Sequence, residues 1–180
     1  VIMSTTEDYA MNYDKILHAD EKYAFYLRDL FEKNNYSQYK MSKFEEYDLY
    51  VRNKDFLISD SVITFTDTSG KLMALKPDVT LSIIKNSKES NLECQKFYYN
   101  ENVYRESKKA GGFSEIMQTG IECMGDIGTV DVCEVITLAA RSLYAISENY
   151  VLDISHMGIL SGLFTAMDLS ESNKTELLSA

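Results

Sequence analysis

Between residues 19 and 33 the apolar side chains Tyr23, Tyr26, Leu27, Leu30 and Phe31 recur at helical spacing, the signature of a helix with one buried face. Asp20 and Glu21 stand at its start, where negative charge suits the helix dipole, and Asn34-Asn35 marks its stop. Residues 36–44 read as a strand. Two short runs, 63–67 and 71–75, flank Thr68-Ser69-Gly70, which predicts a hairpin. Pro77 then leads into a short helix over 79–86. Residues 95–99 and 103–105 read as strand, Lys108-Lys109-Ala110-Gly111-Gly112 as a loop, and 114–124 as the returning strand. After a break at 126–128, Val132, Val135, Ile136, Ala139, Ala140 and Leu143 form the apolar stripe of a helix ending near residue 148. A last strand is expected at 151–154 and a last helix from 158 onward. This order predicts an α+β fold with a mainly antiparallel sheet, not the regular alternation of a parallel one.

The 180 residues fit a single domain with its own core. No apolar run approaches the ~20 residues needed to cross a bilayer, and the first residues lack the basic start and apolar stretch of a signal peptide. Cys94, Cys123 and Cys133 form no CxxC pair and leave an odd count. That usage fits a cytosolic protein and argues against a disulfide framework or a zinc site, so the cysteines are expected as small buried apolar groups. A formal net charge of -10 opposes contact with nucleic acid, which relies on Lys and Arg to displace counterions from phosphate.

Three segments carry polar groups in patterns that suit a ligand. In Leu75-Lys76-Pro77-Asp78-Val79-Thr80 a strand ends in proline, placing Asp78 and Thr80 at the first turn of a helix; helix capping is the plainer role for either. In the returning strand, Gln118, Gly120 and Glu122 share one face because residues two apart point the same way. An amide and an acceptor beside a glycine make a floor for a small polar ligand, although a solvated face with a glycine bulge has the same pattern. In Asp153-Ile154-Ser155-His156-Met157-Gly158, His156 is accompanied in the whole chain only by His18. No catalytic triad or metal-ligand spacing is present, so a packed or capping histidine is expected.

Together these segments resemble the histidyl-tRNA synthetase family of class II aminoacyl-tRNA synthetases. Phe97-Tyr98-Tyr99-Asn100-Glu101-Asn102-Val103-Tyr104-Arg105, the loop ending Ala110-Gly111-Gly112-Phe113, and Gln118-Thr119-Gly120-Ile121-Glu122 are similar to its motif 2. Lys76-Pro77-Asp78-Val79-Thr80 resembles its R-P-E-G-T element, and Asp131-Val132-Cys133-Glu134-Val135-Ile136 its D-A-E-V-I helix start. Residues 24–46 stand in the place of motif 1, the family's dimer element, with Ser42 where a proline is usual. The resemblance implies a class II synthetase-like antiparallel sheet flanked by helices. It also implies a histidine site made of Asp78, Thr80, Gln118 and Glu122, with Arg105 as a phosphate contact and no metal or cofactor. A homodimer burying Tyr26, Leu30 and Tyr39 against a second copy is implied as well.

The departures from the family pattern bear on activity. Motif 2 of a synthetase reads F-R-x-E-R and its loop continues G-R-Y-R, arginines that hold ATP phosphate while the carboxylate is activated. Here the glutamate position reads Ser107, and the two loop arginine positions read Gly112 and Ser114. The Pro-Asp-x-Thr form and the Asp-Ile-Ser-His-x-Gly segment are more similar to the family's regulatory paralogue, the regulatory subunit of ATP phosphoribosyltransferase in histidine biosynthesis. That resemblance implies a non-catalytic protein that senses or relays L-histidine and joins the short-form catalytic subunit in a hetero-octamer, without tRNA and without a membrane. The alternatives are a divergent histidyl-tRNA synthetase or other histidine-activating ligase, and a dimeric interaction domain with an empty site. Members of the family are about twice this length, so the chain is expected to be the N-terminal part of a longer protein.

Overall fold

The structure, a computed structural model, describes residues 17–52, 62–86, 94–107 and 111–179. Helix α1 spans Ala19–Glu32 and is followed by the short strands β1 (Ser37–Gln38) and β2 (Phe44–Glu46), helix α2 (Tyr47–Arg52), and strands β3 (Thr64–Thr66) and β4 (Leu72–Leu75). Helix α3 (Thr80–Asn86) precedes the long strands β5 (Gln95–Ser107) and β6 (Gly112–Met124), and helices α4 (Thr129–Ile146), α5 (Met157–Ala166) and α6 (Glu171–Ser179) complete the order. One sheet runs β1-β5-β6 and the other β2-β4-β3. Every pairing is antiparallel except that of β1 with β5. The expected α+β class holds.

The β5–β6 hairpin organises the molecule because its two faces bury different helices. Tyr98 points to one face and packs with Leu27, Leu30 and Phe31 of α1, with Tyr36, and with Leu138 of α4. Tyr99 and Val103, odd-numbered and therefore on the other face, pack with Val79 and Ile83 at α3. Each large apolar side chain withdrawn from water in these clusters contributes roughly 1.5–3 kcal/mol. The third cluster joins Tyr50 of α2, Ala74 of β4 and Leu81 of α3, and ties the small sheet to the base of α3.

Local chemistry accounts for the turns. The Asp67 carboxylate accepts hydrogen bonds from the backbone N–H of Ser69 and of Lys71, each at 2.8 Å, and Gly70 takes a φ of 85°. That is the predicted hairpin. At the start of α4, Asp131 accepts the Gly128 N–H at 3.0 Å, satisfying a donor that the helix itself leaves free.

Four expectations need correction. Residues 36–44 are not one strand: Ser37–Gln38 runs beside β5, while Phe44 already belongs to the other sheet, opposite Leu75. Residues 151–154 lie in no ladder; Val151 and Ile154 are exposed, and no described strand lies alongside to supply hydrogen bonds. Of the residues expected at a two-fold interface, Tyr26 is exposed, but Leu30 is buried in the chain's own core. Tyr39 is half-buried, packed on the α3 cluster with its hydroxyl donating to the Ser82 carbonyl at 3.2 Å. His156 stands at the head of α5, exposed and making no capping bond. The first 16 residues and loop positions 108–110 lie outside the described residues.

Candidate functional site

The strand ends and the hairpin hold the five singled-out polar residues in two neighbouring bonded sets. Asp78, between β4 and α3, accepts the Leu81 N–H on Oδ1 at 3.2 Å, so the plain capping role is real. Its other oxygen, Oδ2, lies 3.7 Å from the Arg105 guanidinium. Arg105 donates from Nε to the Pro77 carbonyl at 2.8 Å and from Nη2 to Gln118 Oε1 at 2.9 Å. Gln118 Nε2 in turn donates to the Tyr99 hydroxyl at 3.0 Å. Thr80 and Glu122 form the second set, the hydroxyl donating to Glu122 Oε1 at 2.6 Å, with the charge of Asp78 felt at Glu122. The capping and ligand readings of Asp78 are therefore compatible, since the two oxygens are separately engaged.

Tyr99 is the participant that sequence reasoning missed. It pairs in register with Gly120, and a methyl group built on Gly120 would meet its hydroxyl at 2.5 Å. The glycine is therefore neither a bulge nor an open floor; it makes room for the phenol ring, which lies across the strand and hands its oxygen to Gln118. The signal was in the hairpin itself. The β5–β6 ladder pairs residues whose numbers sum to 219, which sets Tyr99 opposite Gly120.

The electrostatics are unbalanced toward negative charge. The network contains two carboxylates, Asp78 and Glu122, against one guanidinium, Arg105. Nearby Lys76 is fully buried and pairs with Glu101, which adds no net charge. Burial pushes the Glu122 carboxyl above its ordinary range; the Thr80 hydrogen bond pulls it down and the charge of Asp78 raises it again. Acceptors in excess of donors, on an acid short of a cation, suit a small ligand bearing an ammonium group.

The same register locates what the network lacks. Ser114 faces Arg105 across the hairpin and Gly112 faces Ser107, so positions 112 and 114 lie on the same sheet face as Gln118 and Glu122. Side chains there would reach toward the network from the hairpin tip, and both are small and neutral. Arg105, implied by resemblance as a phosphate contact, donates to Pro77 and Gln118. The opposite face of β6 carries an apolar cleft of 610 Å³ between α1 and α4, lined by Leu27, Phe31, Ile121 and Val135 among others. Its lining is largely apolar and offers little for a charged ligand to bond.

Glu122 gives a direct test of this electrostatic account. Its raised folded-state pKa means that the native protein holds the proton more tightly than the unfolded chain does. The resulting stability is fully present below the ordinary carboxylate range and is lost as pH rises through the folded value. Glu122→Gln should therefore flatten the dependence of Tm on pH across that window, gaining most on the parent protein at the upper end. Parallel curves would contradict the assignment.

The Histidyl-tRNA synthetase family profile matches residues 17–180. The histidine–tRNA ligase of Methanococcus vannielii is 29% identical over 153 residues, covering 83% of this chain and 37% of that protein. The ATP phosphoribosyltransferase regulatory subunit of Ruminiclostridium cellulolyticum is 25% identical over 142 residues, covering 76% of this chain and 34% of that protein. The solved ATP phosphoribosyl transferase (HisG:HisZ) complex from Thermotoga maritima superposes with a TM-score of 0.63 at 20% identity, covering 90% of this chain and 55% of that one. The shared fold is the class II aminoacyl-tRNA synthetase-like core. The chain spans little more than a third of the length of these curated relatives. With the family's sequence profile running through every described element and its fold reproduced, the chain belongs to the histidyl-tRNA synthetase family.

Proposed function

We propose that this protein is a non-catalytic member of the family, a regulatory subunit of ATP phosphoribosyltransferase that senses or relays L-histidine in the cytosol. The observation that carries the reading is the contrast on one sheet face. Asp78, Thr80, Gln118 and Glu122 lie close together as polar groups, while positions 112 and 114 supply no cation for phosphate. In this reading the ligand's α-ammonium is received by Asp78 and Gln118 with Thr80 nearby, and Glu122 accepts a proton from the imidazole. The formal charge of -10 disfavours tRNA. The similarity to a regulatory subunit and to a complex of that assembly supports a short-form catalytic partner, and a homodimer within the complex follows the same analogy.

The second reading, a divergent histidine–tRNA ligase, is favoured by the name and 29% identity of the archaeal relative. Adding the protein to a short-form catalytic subunit separates the two. Stimulated phosphoribosyl transfer that histidine then inhibits is the expected result. Unchanged transfer, together with charging of tRNA, would establish the ligase.

A further inference from the structure

On the helix-facing side of the hairpin, away from the polar network, Cys94 Sγ and Cys123 Sγ lie 3.1 Å apart. Asp131 Oδ1, in the first turn of α4, lies 3.8 Å from Cys94 Sγ. One donor atom from each of the three residues falls within 4.8 Å of the other two. Both cysteines are half-buried, whereas Cys133 on the same helix is exposed, so the expectation of three small buried apolar groups fails. Sequence spacing gave no hint of the cluster, because 29 residues separate the thiols and only the β5–β6 ladder brings them together.

We infer that Cys94, Cys123 and Asp131 form a binding site for a divalent thiophilic cation, zinc by ligand class. Two thiolates and a carboxylate are a zinc-selecting donor set. Tetrahedral bonds of about 2.3 Å to sulfur and 2.1 Å to oxygen place bound sulfurs roughly 3.8 Å apart and sulfur roughly 3.6 Å from oxygen. The Cys94–Asp131 separation already matches, and the sulfurs need only part slightly. A disulfide would instead require them to close to about 2.0 Å.

Lys96 lies 3.4 Å from Asp131 and 2.7 Å from Glu134. Two thiolates with these two carboxylates are four negative charges, of which a dication and the Lys96 ammonium offset three. Binding displaces two thiol protons to solvent and forms two metal–sulfur bonds, with no change of oxidation state. The ion ties the start of β5 and the end of β6 to the first turn of α4, pinning the hairpin from the face opposite the polar network.

Cobalt titration of the reduced, chelator-treated protein tests the site, because Co²⁺ bound by thiolate gives a ligand-to-metal charge-transfer absorption. One Co²⁺ per chain with that absorption is expected, displaced by Zn²⁺, in the parent and in Cys133→Ser. It should be absent in Cys94→Ser and Cys123→Ser. Zn²⁺ should also raise the Tm of the unmutated protein, a readout independent of whether the serine variants fold. No absorption in the parent, or absorption that survives both serine substitutions, would overturn the site. So would a reduced preparation two hydrogens light in mass, which would identify a disulfide.

Discussion

Mixed with ATP, histidine and labelled pyrophosphate, the protein should return no histidine-dependent exchange above background. In the family's activating members the developing phosphoanhydride is held by fixed positive charge. Loss of a single oriented donor of that kind costs about 10²–10³ in rate, or ~2.7–4 kcal/mol. Here both loop positions lack it: Gly112 and Ser114 stand on the site face of the hairpin with no charge to offer. The guanidinium of Arg105 is bonded to Pro77 and Gln118, so it does not replace them. Two such losses place the expected rate several orders of magnitude below that of an activating enzyme. Exchange that Arg105→Ala abolishes would sink the non-catalytic reading.

The largest effect on stability should come from Glu101, which lies opposite Gln118 in the hairpin but is not itself a proposed ligand contact. Its carboxylate is the partner of Lys76, which is 0% exposed and sits at the end of β4. The backbone fixes the lysine there, since the Lys76 carbonyl accepts the Tyr104 N–H of β5 at 3.0 Å. Glu101→Leu should destabilise the protein by about 3–5 kcal/mol, because it leaves an ammonium buried without its counter-charge. Adding Lys76→Met should recover most of that loss, since a pair of apolar groups of similar volume is often neutral. Denaturant melts of the two singles and the double complete the cycle. An additive double variant would show that the pair is not coupled.

Much of the site was legible because its residues lie on elements with strong periodicity. Strand alternation alone placed Gln118, Gly120 and Glu122 on one face and Met117, Thr119, Ile121 and Cys123 on the other, and the clusters around Tyr98 and Tyr99 follow that division. The apolar stripes of α1 and α4 gave their extents to within two residues at either end, apart from the start of α4. What periodicity does not carry is the identity of a partner. Residues 36–44 have strand character throughout, yet the chain changes sheets between Gln38 and Phe44. Residues 151–154 have the composition of a strand but no ladder. The Tyr99 ring over Gly120, the Lys76–Glu101 pair and the Cys94–Cys123–Asp131 cluster all join residues 21 to 37 apart. They become visible only once the hairpin register is fixed.

The central claim, that the polar network is a histidine site, is most directly tested by calorimetric titration of L-histidine into the protein and its Glu122→Ala variant. Hydrogen bonds to charged groups contribute ~1.5–3 kcal/mol, so the variant should bind roughly tenfold or more weakly while melting as a folded protein. A parent that binds no histidine, or a Glu122→Ala variant that binds it equally well, would contradict the account.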